Sequence, residues 1–132
     1  MRFLLDTNIC VFLIRKKLTR LLQIMRQQGI GEIGISTVTL AELRFGADKS
    51  AAPIKNHATL NSFLVPLEIA TFDEFAAAEY GRVRSELESA GTPIGALDTL
   101  IAAHARQLNL TLVTNNVREF ARVGRLVVED WS

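Results

Sequence analysis

The 132-residue chain holds one cysteine, Cys10, and two histidines. An internal disulfide framework is therefore excluded, and no Cys/His cluster has the spacing of a zinc site. A lone thiol fits a reducing compartment. Long apolar runs are missing too: FLLDTNICVFLI is interrupted by Asp6, Thr7 and Asn8, and nothing approaches the roughly 20 residues of a membrane helix. No basic segment leads into an uninterrupted apolar one, so no signal peptide is expected. The expectation is a cytoplasmic protein with no membrane association. An excess of charge of one sign is also lacking, with 15 basic and 14 acidic residues giving +1. A nucleic-acid site would have to rest on a local patch. Aromatics are few (seven Phe, one Tyr, one Trp), which argues against a broad stacking platform for single strands. Repeats, low-complexity tracts and linkers are absent.

What is present is a packed core. The hydrophobic fraction of 48% fits a globular protein, and the length fits a single domain over residues 1–132. Phe3 to Leu5 is an apolar strand candidate, followed by helical patterns over 8–15 and 18–28 that stop at Gly29 and Gly31. IGIS (33–36) is a second strand, and Thr37 to Ala47 a helix. Pro53 opens a helix to about Leu64, and VPLEI (65–69) reads as a third strand. Phe72 to Ala90 is helical and ends at Gly91; GTPIG (91–95) is a loop; Ala96 to Leu108 is a helix. LTLVT (110–114) is the clearest strand. NNVREF turns into a short helix, and RLVVE (125–129) is a last strand that could lie at a sheet edge. Strands alternating with helices predict an α/β domain with a mainly parallel sheet.

In an open parallel sheet, ligands gather beyond the carboxyl ends of the strands. Asp6 follows the first strand, and Asn115 and Asn116 follow LTLVT, so both groups should line one edge. Glu42 in TLAELRF and Asp98 in GALDTLIAA stand near helix starts and could project to the same edge. Converging carboxylates repel one another unless protonated or bound to a cation. Oxygen-only ligands select a hard ion, Mg²⁺ or Mn²⁺, and such a site suits phosphodiester hydrolysis.

Each residue also has an ordinary structural role. Asp6 could cap the next helix. Glu42 could close a capping box with Thr39. Asp98 could complement a helix dipole. Asn115 and Asn116 are common turn residues, and Glu119 could be a solvated helix charge. Composition and spacing leave both readings open.

The combination is more specific than its parts. LLDTN, STVTLAELRFG, PIGALDTLIAAHA and LVTNNVREF, in that order and followed by RVGRLVVEDWS, resemble the PIN domain. Within it they resemble the VapC toxin ribonucleases of bacterial toxin–antitoxin pairs. The resemblance runs from residue 3 to Trp131. It implies a three-layer α/β/α sandwich around a mainly parallel sheet, and Mg²⁺-dependent (or Mn²⁺-dependent) endoribonuclease activity. By the resemblance Asp6 and Asp98 bind metal, Glu42 is the second acid, and Thr114 is the hydroxyl residue that supports the fourth position. Asn8 supports Asp6. The fourth position, an acid in many members, is Asn116 here, and Glu119 one turn later could supply the missing carboxylate.

RNA brings its own phosphate charge, so a basic rim is expected. Arg15, Lys16, Lys17 and Arg20 form one run; Arg44, Arg118 and Arg122 lie near the acids in sequence. Any of them could equally sit on a solvated helix face. The VTNN-REF and EDWS elements resemble the members that cut initiator tRNA in its anticodon stem-loop. The resemblance further implies a VapB-type antitoxin that blocks the acidic cleft, a homodimer, and binding of promoter DNA only through that antitoxin. His57 and His104 are not required, and His104 in IAAHA reads as a packed helix residue. Other readings fit less well. A dehalogenase-type phosphatase needs a second Asp where Asn8 stands, and a receiver domain needs a Lys after the last strand. A non-catalytic RNA- or protein-binding module of the same fold is the remaining alternative.

Overall fold

The computed structural model describes residues 1–16, 19–29 and 31–132. Strands β1 (Phe3–Leu5), β2 (Ile33–Ser36), β3 (Glu68–Ala70), β4 (Thr111–Val113) and β5 (Val128–Glu129) form a sheet in the order β3-β2-β1-β4-β5. Every neighbouring pair is parallel. Between them run α1 (Thr7–Lys16), α2 (Thr19–Gln28), α3 (Thr37–Asp48), α4 (Pro53–Leu64), α5 (Glu74–Ser89), α6 (Ala96–Gln107) and α7 (Val117–Phe120).

The two-residue period of a strand sends alternate side chains to opposite faces. Phe3, Leu5, Ile33, Ile35 and Val113 enter one core with Ile9, Leu43, Leu60 and Trp131. Leu4 and Leu112 enter a second core with Val83, Ile101, Ala102 and Phe120. The sheet is therefore buried on both sides, as parallel sheets are, and the expected three layers are present. Trp131 packs edge-on against Phe3 at 4.8 Å between ring centroids, which anchors the C-terminus to β1. Among the described residues no helix is long and apolar enough to cross a membrane.

Three segments differ from expectation. The third strand starts at Glu68 rather than Val65: Val65 is still in helical geometry as the C-cap of α4, and the Leu67 amide donates to the Leu64 carbonyl in a closing turn. Pro66 has no amide to offer a ladder. The helix expected from Phe72 starts at Glu74, because the Asp73 carboxylate accepts from the amides of Phe75 and Ala76 as N-cap. The last strand shortens to Val128–Glu129, since Arg125 adopts a left-handed φ of 58° that breaks extended pairing.

Two polar features tie the layers together. Arg106, almost fully enclosed, donates to Glu79 at 2.9 Å and Glu86 at 2.8 Å, and so clamps α6 to α5. His104 is buried, with Nδ1 2.8 Å from Ser36 Oγ and its ring edge against Phe72. Burial pushes its pKa down, so the ring is neutral. Its place is structural, as the sequence suggested.

Gly34 sets how closely β2 and β3 approach. A Cβ there would stand 2.7 Å from the Glu68 backbone oxygen. Gly34→Ala is expected to destabilise the fold by about 1–3 kcal/mol, read as a lower urea midpoint at unchanged slope. A midpoint equal to wild type would mean the two strands part freely at this point.

Candidate active site

The chain leaves β1 in one direction to build β2 and β3, and in the other to build β4 and β5. The β1–β4 boundary is thus the topological switch point, where the connecting segments diverge and leave a crevice at the carboxyl ends of the strands. Asp6 and Thr114 are the first residues beyond those two ends. The Asp6 amide donates to the Val113 carbonyl at 3.0 Å, extending the ladder by one step and fixing the carboxylate at the crevice.

Asp6 both caps a helix and faces the site. Its Oδ1 accepts from the Ile9 amide at 2.8 Å, capping α1. Its Oδ2 accepts from the Thr114 hydroxyl at 2.5 Å. Both oxygens keep a further lone pair. The carboxyl is buried, and that burial raises its pKa, with Glu42 and Glu119 adding repulsion and the two hydrogen bonds opposing. Thr114 Oγ1 also accepts from the Asn116 amide at 2.9 Å, so one hydroxyl links the end of β4 to the start of α7.

Asn116 precedes α7 but makes no side-chain cap. Its side-chain amide donates to Glu119 Oε2 instead. The other oxygen of Glu119 accepts from the Gly95 amide at 3.2 Å. Glu119 is thereby drawn toward the loop that leads into α6, where Asp98 lies in the first turn. Glu119 lies close enough to Asp98 for its charge to act on it, and the Asp98 pKa is raised to about 7. Partial burial is the largest cause, Glu119 the next, and Asp6 and Glu42 add repulsion from farther away. A Cβ at Gly95 would make ordinary van der Waals contact with this pair, 3.5 Å from Asp98 Oδ2 and 3.9 Å from Glu119 Oε1.

Glu42 does not close a capping box. Ser36 is the N-cap of α3, accepting from the Val38 amide at 3.0 Å, so Thr39 lies inside the helix and is buried. Glu42, in the second turn, accepts a 2.7 Å hydrogen bond from the Thr7 hydroxyl. Thr7 Oγ1 in turn lies 3.2 Å from the buried Thr39 hydroxyl. Thr7, expected with Asn8 to support Asp6, instead holds Glu42. Asn8, expected to support Asp6, is exposed on the first turn of α1.

The partners of these carboxylates are hydroxyl, amide and carboxyl groups. An all-oxygen set in which burial and repulsion raise the pKa of Asp6 and of Asp98 is what a hard divalent cation would relieve. Among the described residues no three Asp, Glu, His or Cys side chains stand ready to cage an ion on their own.

The basic residues divide. Arg15 is exposed on α1, and Arg118 is exposed on α7 beside the site. Arg122 donates to the Pro93 carbonyl at 3.1 Å and ties α7 to the 91–95 loop. Arg44 turns away from Glu42 onto α4, bonding Asn61 Oδ1 at 2.7 Å and His57 Nδ1 at 3.1 Å. It is therefore a helix–helix link rather than part of an RNA-facing rim: residues two apart on a helix do not share a face. Lys17 lies outside the described residues; Lys16 ends α1. Cys10 is buried on α1, which pushes its thiol pKa well up and leaves it unreactive.

Comparison with known proteins gives one picture. The PIN domain family matches residues 3–126. A protein named tRNA(fMet)-specific endonuclease VapC from Shigella flexneri is 44% identical over 132 residues, 100% of this chain and 99% of its own. Its counterpart of the same name from Salmonella typhimurium is 41% identical, covering 99% and 98%. Among solved structures, DNA-bound VapBC from Salmonella typhimurium superposes with a TM-score of 0.97 at 41% identity over 100% of this chain and 99% of that one. VapBC2 from Rickettsia felis, bound to a DNA fragment from its promoter, gives 0.91 at 41% identity with both chains fully covered.

Proposed function

The chain belongs to the PIN-domain family, among its VapC ribonucleases, and from that premise we propose how its acidic crevice hydrolyses RNA and what RNA it takes. The protein is the toxin component of a toxin–antitoxin pair, an endoribonuclease. The observation that carries the mechanistic reading is the gathering of Asp6, Asp98 and Glu119 near the β1–β4 switch point, where burial and mutual repulsion raise the pKa of Asp6 and of Asp98.

Asp6 and Asp98 would hold the divalent cation, Mg²⁺ by preference and Mn²⁺ as a substitute. A cation bound there supplies Lewis-acid stabilisation of the charge that develops on the phosphate. The residues do the rest. Asp6 is locked in orientation by the α1 cap and by Thr114, so it meets substrate without reorganising. Glu119, steadied by Gly95 and Asn116, stands near Asp98 and would supply the charge that Asn116 lacks. Glu42, fixed by Thr7, stands at the other side of Asp6 to orient the attacking water and accept its proton. Of the basic residues, Arg15, Arg118 and Arg122 remain exposed to hold RNA phosphates.

The substrate we favour is the anticodon stem-loop of initiator tRNA, by analogy with the relatives named for it, so that cleavage stops translation in the cytoplasm. Related toxins are seen with antitoxin and promoter DNA. For this chain we propose a VapB-type antitoxin, homodimer formation, and DNA contact through the antitoxin alone. A net charge of +1 agrees with leaving DNA binding to the partner. Purified protein freed of antitoxin is expected to cut initiator tRNA within total tRNA at one position in the anticodon stem-loop, read by gel and end-mapping. Intact tRNA after prolonged incubation with Mg²⁺ would overturn the substrate; intact RNA of every kind would overturn the activity.

A further inference from the structure

We propose that a pocket inside the α5–α6 hairpin seats one unstacked nucleobase of the substrate RNA, with Arg84 and Arg122 holding the phosphates on either side. This rests on the ribonuclease reading above.

The pocket has a volume of about 240 Å³, and its walls include Tyr80, Arg84 and Leu87 of α5, Pro93 and Ile94 of the connecting loop, and Thr99 of α6. The loop that forms one of its walls leads toward the cleavage centre. The same loop ends at Gly95, whose amide holds Glu119, and Thr99 is the residue after Asp98. A chain whose phosphate lies at Asp98 therefore has this pocket within reach of an adjoining nucleotide. The volume falls below the roughly 300–1,000 Å³ of sites for drug-sized ligands, which fits one base and excludes a helix.

The wall chemistry suits a base. Tyr80, the single tyrosine of the chain, offers a π-face, and Leu87, Pro93 and Ile94 offer apolar surface. Arg84 stands at the mouth, its side chain 60% exposed. It is held flat by Glu88, 2.9 Å from Nε, and by the Tyr80 hydroxyl, 3.1 Å from Nη1. A guanidinium has five donors, so most of the fork still points outward, free to bond a base edge or a phosphate. Across the loop, Arg122 is anchored on the Pro93 carbonyl. One fixed cation thus lines the slot, and a second is tied to Pro93 in its wall. Proteins that read RNA by sequence commonly do so on splayed loop bases stacked against aromatic or guanidinium planes. A single slot also agrees with the scarcity of aromatics elsewhere.

The test uses the full chain, Mg²⁺ and an initiator-tRNA anticodon stem-loop oligonucleotide. Single abasic riboses replace each nucleotide flanking the cut in turn. With wild type, one abasic position is expected to raise KM about 5- to 100-fold, the range of base–aromatic stacking, with kcat little changed. Tyr80→Leu should raise KM for the intact oligonucleotide to a similar degree and be indifferent to that same abasic position. Arg84→Gln, a surface change, should raise KM and flatten the salt dependence by about one phosphate contact; Arg84→Lys should restore part of the loss. Equal abasic penalties in wild type and Tyr80→Leu would overturn the proposal. So would unchanged cleavage accompanied by a change in oligomeric state or in antitoxin affinity, which would assign the pocket to a protein partner. Failure of wild type to cut any RNA would reject the ribonuclease reading itself.

Discussion

Asp6→Asn should abolish RNA cleavage while leaving the fold as stable as before or more so. Asparagine still accepts from the Ile9 amide, and it is an equally good helix cap. What it removes is a carboxylate that burial and two neighbouring acids hold in an unfavourable charged state. Thr114 can rotate its hydroxyl to meet the new amide. The loss falls on the cation. Without one of its two protein carboxylates the site forfeits several kcal/mol of charge stabilisation, so cleavage is expected to drop by about a thousandfold or more. Chelator should do the same to wild type. Thermal melts separate this from misfolding: Mg²⁺ or Mn²⁺ should raise the wild-type Tm and leave the Asp6→Asn Tm unmoved. Cutting by Asp6→Asn at the wild-type rate would sink the mechanism and point to a contaminating nuclease.

The second large effect is a pH dependence set by Asp98 and Glu119. Folding raises the Asp98 pKa from its ordinary 3.8 to about 7. The metal-free protein is therefore most favoured below the ordinary value, and it loses stability as pH rises toward 7 and beyond. The cation reverses the preference, because it binds the Asp98 carboxylate and must displace its proton. Its apparent affinity should fall about tenfold per pH unit below about 7. The Mg²⁺-induced rise in Tm should accordingly be small at pH 6 and full at pH 8. Glu119→Gln removes the second-largest cause of the raised pKa, so the acid limb of the cleavage profile should move to lower pH. Cleavage at pH 8 should fall about tenfold or more, because one carboxylate that orients water is gone. An acid limb that stays in place in Glu119→Gln would show that another group sets it.

Much of the site could be read from the chain because its residues sit at marked places. FLLDTN, with a carboxylate straight after an apolar strand, announces a strand end; LVTNN announces another. GALDT follows a glycine-bounded loop and so opens a helix. These signals are local, and the structure places Asp6, Thr114 and Asp98 as they imply. The less legible residues depend on where a side chain turns after the backbone is set. Glu42 looks like half of a capping box with Thr39, yet Ser36 takes the cap and Thr7 takes Glu42. Arg44 stands two residues from Glu42 in sequence and turns onto α4, where Asn61 and His57 accept it.

Sequence alone therefore determined the alternation of strands and helices, the PIN resemblance and the identity of the acids, because periodicity, turn chemistry and motif order are written along the chain. It could not determine strand order. The tertiary structure decided that β1 lies between β2 and β4, which makes its end the switch point and brings Thr114 onto Asp6 across 108 residues. It also drew Glu119 toward Asp98 through the Gly95 amide and the Asn116 side chain. The physical reason is the same in each case. A carboxylate's pKa and its partners are set by burial and by neighbours brought in from distant segments, and those neighbours exist only once the sheet has been assembled.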